Sequence, residues 1–327
     1  MIHRKLGPSG IEVSAVGFGA WAIGGWMWGG ADENQAVAAV HAALDHGVNL
    51  IDTAPIYGFG RSEEIVGRAI GDRRERVVLA TKCGMVWDRE EGDFFFHSND
   101  DGVTFRPAEK KVYKCLRPDS IRAELERSLQ RLGTEQVDLY QTHWQESTTP
   151  IADTMAELTK MKEEGKIRAI GVCNASLVHL AAYGPIDSDQ EKFSLLDREI
   201  EQNGSLAYCR RQGIGLLAYS PLANGLLTGK IGPDRQFGAG DLRRGNRRFG
   251  KSNLEQVAAM LEQIRPIAEK HRATLAQLAI AWTISRPGVT VALCGARNPQ
   301  QATENAAAGD LSLSPEELET IGKIVHL

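Results

Sequence analysis

Four side chains of complementary acid–base character stand at or just beyond the ends of short apolar runs. Asp52 follows Val48-Asn49-Leu50-Ile51, and Tyr57 lies five positions later in a loop rich in proline and glycine. Lys82 closes the run VVLATK, and His143 closes VDLYQTH. Singly, each has an ordinary structural reading: a carboxylate capping a loop, a tyrosine lidding a turn, a solvated lysine or histidine. As a set they form a proton-transfer unit. A phenol with a pKa of about 10 is a poor acid at neutral pH. A nearby ammonium stabilises the phenolate and is expected to lower that pKa, while an aspartate keeps the ammonium charged and in place. A histidine beside them orients a carbonyl, or stabilises the oxyanion that develops on it. This chemistry needs no metal, and the sequence signals none.

Bringing these residues together requires strands that converge. Apolar strand-like runs alternate with amphipathic helical stretches almost to the end of the chain. Val13–Ala20 comes first, then a helix over Asp32–His46 with Val37, Val40 and Leu44 on one face and Gly47 as its stop. Val48–Ile51 follows, then a helix over Ser62–Ile70, with Ser62 as N-cap and Glu63 and Glu64 suited to the positive helix start. Further strands are expected at Val77–Thr81, Val137–Thr142, Ile167–Val172, weakly at Ile186–Ser194, then at Gly215–Tyr219 and Val289–Leu293. The intervening helices fall near Pro118–Leu132, Ile151–Glu164, Ser176–Tyr183, Glu201–Gln212, Leu254–His271 and Leu275–Ser285.

Strict alternation of β and α calls for a parallel sheet. Eight such units in 327 residues favour a closed (β/α)8 TIM barrel over an open doubly wound sheet. The open sheet would carry G-x-G-x-x-G after its first strand, and GFGAWAIGG lacks that spacing. Two long interruptions, Gly84 to Leu116 and Ala223 to Lys251, both follow strands. In a barrel both therefore lie on the C-terminal face, where such folds carry their chemistry.

The composition is that of an ordinary soluble protein, with 42% hydrophobic and 24% charged residues and a net charge of −4. No basic excess points to nucleic acid or to an anionic membrane surface. No apolar run approaches the roughly 18 residues of a membrane span, and the N-terminus lacks the apolar core of a signal peptide. Five cysteines, odd in number and without a CxxC pair, fit a reducing cytoplasm and argue against a disulfide framework or structural zinc.

Six blocks in a fixed order, NLIDTAPIYGFGRSE, VVLATKCG, VDLYQTHW, GKIRAIGVCN, AYSPLANGLLTGK and GARNPQQATEN, carry a family resemblance over nearly the whole chain. The chain resembles the aldo-keto reductases, and within them a bacterial branch that includes methylglyoxal reductases and inositol-catabolism-associated reductases. KCGMVWDREEG and THWQ support that branch. The resemblance implies a single barrel domain over residues 1–327. It also implies direct hydride transfer from a nicotinamide cofactor to an aldehyde, α-oxoaldehyde or small ketone, with Asp52, Tyr57, Lys82 and His143 as the catalytic tetrad and Tyr57 as proton donor.

It further implies a cofactor site. Asn174, Gln190 and Cys173, the last in place of the family's usual serine, would hold the carboxamide, and Tyr219 would stack on the nicotinamide ring. Ser220, Pro221, Leu222, Gly225 and Leu226 would pass over the pyrophosphate. Gly19, Trp21, Lys230 and Gly295 would complete the cofactor contacts. Arg297 would grip a 2′-phosphate through its forked donors, with Gln301 and Asn305 at the adenine and Glu304 near the ribose, so NADP(H) is expected over NAD(H).

Trp21, Trp87 and Trp144, with Tyr57, are expected in the substrate pocket, and Phe94-Phe95-Phe96 as loop anchors. The family's usual Trp-Pro-Asp is Trp144-Gln145-Glu146 here, a change expected to alter the loop beside the substrate more than the chemistry. Two other readings stay open. Hydride transfer is reversible, so one is a sugar or polyol dehydrogenase. The other is a cofactor-sensing subunit of a larger assembly, as in the β subunits of potassium channels.

Overall fold

Eight parallel strands close into a barrel in a computed structural model that describes residues 1–100, 102–104 and 108–325. The barrel strands are β1 (Val16–Gly19), β2 (Leu50–Asp52), β3 (Val78–Cys83), β4 (Val137–Thr142), β5 (Ile167–Cys173), β6 (Ser188–Lys192), β7 (Gly215–Tyr219) and β8 (Val289–Gly295). They neighbour one another in chain order, and β8 pairs back onto β1. Helices return the chain between strands, as parallel pairing requires. The first of these, Glu33–Asp45, is capped by Asp32, whose side chain accepts from Gln35 N, and it buries Val40 and Leu44 against the barrel.

Side chains alternate along each strand, so every second residue points into the barrel. Leu50, Val78, Ala80, Leu139, Ala169, Leu217 and Val291 fill the lower interior. Leu6, Ile11 and Val13 close its floor from an N-terminal hairpin, His3–Lys5 paired with Glu12–Ser14. The outer faces of the strands pack on the helices in a second, larger core. Burying each Leu, Ile or Val in these layers stabilises the fold by about 1.5–3 kcal/mol.

Several boundaries differ from the sequence expectation. The run Val13–Ala20 divides, its first part joining the hairpin and its second forming β1. The helix expected over Glu201–Gln212 is two, Glu199–Gln202 and Ser205–Gln212, separated at Gly204, whose φ of 88° breaks the helix. Ser62 is not an N-cap. The helix Arg61–Ile70 starts after Gly60, and Ser62 lies inside it, fully buried. Its hydroxyl instead donates to Ala20 O at 2.8 Å and meets Thr53 Oγ1 at 2.9 Å, tying the loop after β2 to the end of β1.

The two interruptions do lie at the C-terminal ends of β3 and β7. In the described part of the first, Met85–Val86, Asp93–Ser98, Val103–Thr104 and Lys110–Lys114 form a four-stranded antiparallel sheet over the barrel mouth. The second is largely irregular, with short 3-10 turns at Ala223–Thr228 and Arg247–Phe249. It is hooked to the loop after β1 by Leu242 N donating to Met27 O and Gly29 N donating to Gly240 O. Among the described residues no helix is long and apolar enough to cross a membrane.

Candidate active site

Strand register assembles the site. Gly19 pairs with Asp52, Lys82 with Gln141, Cys173 with Gln190, and Gly295 with Gly19, all at the same end of the barrel. Lys82, only 1% exposed, donates from Nζ to Asp52 Oδ2 at 2.6 Å, to Thr53 O at 2.9 Å and to the Tyr57 hydroxyl at 3.3 Å. Its three donors are thereby used, and the third reaches the phenol. A buried ammonium is tolerable only when paired and hydrogen-bonded, and both conditions hold here. Tyr57 reaches this point through a tight turn, its N–H donating to Ala54 O at 3.1 Å. Gly24 lets the turn approach, since a Cβ there would come within 2.8 Å of Tyr57 O. The ring of His143 meets that of Tyr57 edge-on, with centroids 5.7 Å apart.

Electrostatics sharpen the roles. Burial by itself would lower the Lys82 ammonium, but Asp52, and then Tyr57, outweigh it and hold the group above its ordinary value. Burial pushes the Tyr57 phenol up to about 12, with Lys82 opposing and Asp52 adding to the rise. The expected lowering by the ammonium is therefore real but loses to desolvation. Tyr57 therefore stays protonated across the physiological range. Burial, then the Lys82 charge, drives His143 well below its usual range, so it is a neutral imidazole near pH 7.

A groove of about 760 Å³ runs from these residues across the barrel mouth. Asn174 sits at its middle with φ of 54°, donating from Nδ2 to His143 O at 3.0 Å and accepting from the Tyr219 hydroxyl at 2.9 Å. Ser220, Ala223, Asn224 and Gly225 all have positive φ, which curls the loop after β7 and turns its backbone toward the groove. At Gly295 an added Cβ would meet nothing nearer than Gly19 O at 3.8 Å, so the groove is bare backbone there. At the far end Lys230 pairs with Glu304 at 2.7 Å, Gln301 accepts from Arg297 N at 2.9 Å, and Asn305 donates to Gly295 O at 3.1 Å. An elongated groove with a polar tetrad at one end and open backbone along its length suits a dinucleotide.

Most of the expected residues line this groove: Gly19, Trp21, Tyr57, His143, Trp144, Asn174, Gln190, Tyr219, Ser220, Pro221, Leu222, Gly225, Lys230, Gly295, Arg297, Gln301, Glu304 and Asn305. Three do not. Cys173 is buried, its thiol 3.8 Å from Gln141 Oε1, and Leu226 is in the core. Trp87 stands behind the wall, edge-on to Phe59 at 5.2 Å. Conversely, Phe95 and Phe96, expected as anchors, face the groove with Trp26 and Trp28, while Phe94 turns to solvent. Phe95 packs on Trp144 at 5.4 Å and Phe96 on Trp26 at 6.1 Å. No local pattern in FFF tells which ring faces inward; that depends on the antiparallel sheet of the insertion. Gln145 and Glu146 brace the neighbouring loop, Gln145 donating to Cys173 O at 3.1 Å and Glu146 accepting from Leu116 N at 3.2 Å. Among the described residues no group of three or more His, Cys, Asp or Glu side chains is placed to hold a metal ion.

The aldo/keto reductase family model matches residues 15–326. The chain is 43% identical to a protein of Escherichia coli K12 named NADH-specific methylglyoxal reductase, over 94% of each chain. It is 36% identical to aldo-keto reductase YhdN of Bacillus subtilis 168, over 100% of this chain and 94% of the relative. Among solved structures, the glycerol dehydrogenase AKR11B4 of Gluconobacter oxydans superposes with a TM-score of 0.85 at 39% identity, covering 97% of this chain and 93% of that one.

One expectation is overturned. NADP(H) was favoured over NAD(H) on the strength of Arg297, yet the relative at 43% identity is named NADH-specific. The physical reason lies in what Arg297 touches. Its guanidinium donates to Trp28 O at 3.0 Å and Gly30 O at 3.5 Å, bracing the loop after β1. The neighbouring cation, Lys230, is paired with Glu304.

Proposed function

The chain belongs to the aldo/keto reductase family, and from that premise we propose that it reduces small 2-oxoaldehydes with NADH, Tyr57 supplying the proton. The observation that carries this reading is Lys82 Nζ, held 2.6 Å from Asp52 and 3.3 Å from the Tyr57 hydroxyl at the foot of an aromatic-walled groove. A bound reduced nicotinamide supplies the hydride. The chain's own groups do the rest. Tyr57 gives its proton to the carbonyl oxygen, and Lys82 stabilises the phenolate left behind until solvent reprotonates it. Neutral His143 donates a hydrogen bond to the same oxygen, and aims the carbonyl. Trp21, Trp144, Phe95 and Phe96 exclude water from the reacting carbon.

Asn174 and Gln190 would hold the carboxamide of the cofactor, and Tyr219 would support its ring. The loop from Ser220 to Gly225 would follow the pyrophosphate, with Gln301, Glu304 and Asn305 at the adenosine end. Support for NADH comes from the named relative and from Arg297 being engaged with backbone carbonyls. A second reading, polyol oxidation by the reverse reaction, draws on the likeness to a glycerol dehydrogenase.

The test is to titrate the purified protein with NADH and NADPH, then follow reduced-nicotinamide absorbance with methylglyoxal, glyceraldehyde and a nitrobenzaldehyde. Glycerol with NAD⁺ is run in parallel. NADH oxidation fastest with methylglyoxal is the expected result. Turnover only in the glycerol direction would select the second reading, and no binding of either nucleotide would sink both.

A further inference from the structure

One buried polar side chain at the barrel mouth has no place in the scheme above. Gln141 lies on β4 opposite Lys82, is fully buried, and points into the barrel. Its Nε2 donates to Asp52 Oδ1 at 3.0 Å. Its Oε1 accepts from Gln190 Nε2 at 3.1 Å, and Gln190 Nε2 also donates to Asp52 Oδ1 at 2.9 Å. The Cys173 thiol reaches the same Oε1 at 3.8 Å. An ionised carboxylate only accepts, so both amides must turn nitrogen toward Asp52, and this fixes which end of each faces which neighbour. Space for the arrangement comes from Gly171 on β5. A Cβ there would come within 2.8 Å of Gln141 Cγ and would run into Ser188 Oγ.

The consequence is a division of labour across one carboxylate. Oδ1 is saturated by two amides, so Oδ2 is the oxygen left for Lys82. The amide dipoles also set their positive ends against the negative charge that opposes ionisation of Tyr57. We propose that Gln141 is a positioning residue for the proton donor, clamping Asp52 so that Lys82 faces Tyr57 and screening the Asp52 charge from the phenol. The proposal rests on the reading of Tyr57 as donor. Without Gln141, Asp52 can rotate away from Lys82 and its charge bears more fully on the phenol. Tyr57 then becomes a weaker acid and a slower donor.

Gln141→Met keeps the length and most of the volume while removing the amide, and Gln141→Asn keeps an amide that falls one methylene short. For both, kcat of aldehyde reduction is expected to fall about ten- to hundredfold, the range for one lost hydrogen bond to a charged group. Aldehyde KM should stay within about twofold, since the aldehyde does not touch Gln141 in this scheme, whereas the Kd for NADH is measured separately because Gln141 also holds Gln190. The solvent deuterium isotope effect on kcat should grow as proton donation becomes slower, a change that loosened packing alone would not produce. Wild-type kcat in both variants overturns the proposal. So does a loss of kcat with an unchanged solvent isotope effect that tracks a fall in melting temperature. If Gln141→Met does not fold, Gln141→Asn decides by the same readings. Tyr57→Phe is assayed alongside. Should it retain turnover, the donor assignment fails and this proposal with it; should it lose turnover while both Gln141 variants match wild type, only this proposal falls.

Discussion

The lower and upper halves of the barrel interior are built from the same strands two residues apart, and they share almost no chemistry. Leu50 becomes Asp52, Ala80 becomes Lys82, Leu139 becomes Gln141, and Leu217 becomes Tyr219. Below lies dry packing in which Leu50, Ala80, Leu139 and Leu217 are fully buried. Above lies a connected set of amides and charges in which Asp52 accepts from Lys82, Gln141 and Gln190. One strand period, about 6.6 Å of rise, separates the two. The lower layer gives the strands a fixed spacing, and the upper layer uses that spacing to hold an ammonium out of water beside a phenol. Stability and chemistry should therefore fail separately when each half is changed.

The largest expected effect tests the upper half. Tyr57→Phe removes the hydroxyl proposed as proton donor and little else, so turnover should fall by about 10²–10⁴-fold with nucleotide affinity and melting temperature close to wild type. A melting temperature that collapses with turnover would show that the two halves are not independent. Leu139→Ala, one strand period below Gln141, is the converse. It should cost about 2–5 kcal/mol in urea unfolding, while kcat per folded molecule stays near wild type. A kcat loss as large as that of an upper-half variant would break the contrast.

A smaller effect lies just outside the barrel. Both carboxyl oxygens of Glu124 accept from Gly84 N at 3.1 Å, two residues beyond Lys82, and burial pushes this carboxyl up to about 8. Arg127 and Arg89 oppose that rise, and Asp88 adds to it. The folded protein thus binds a proton that the unfolded chain releases near 4.5. That contribution is full below pH 4.5 and is lost as pH rises to about 8. Glu124→Gln, which cannot ionise, should flatten the fall in stability over this range by roughly 1–3 kcal/mol. An unchanged pH dependence of urea unfolding would remove Glu124 as its source.

How much of this was legible before folding varied with how local the signal was. The eight strands and their helices follow from periodicity within each segment, and the ends of VVLATK and VDLYQTH mark Lys82 and His143 directly. Gln141 was visible as a polar residue in an apolar run, but so was Asp138. Asp138 instead takes Leu79 N at 2.8 Å and pairs with Arg74 and Arg168, away from the site. Only inter-strand register separates the two. Ser62 carried the local mark of a cap and became a buried strut between two loops, because Gly60 had already turned the chain.

By itself the sequence determined the barrel and the end of it at which Asp52, Tyr57, Lys82 and His143 meet, since each depends on residue type and spacing within a few positions. Tertiary structure alone decided the rest. It set how acidic Tyr57 is, because burial outweighs the ammonium beside it. It decided which phenylalanines see the groove, and what Arg297 grips. Those outcomes turn on desolvation and on contacts between segments far apart in the chain, and neither is written in any one segment.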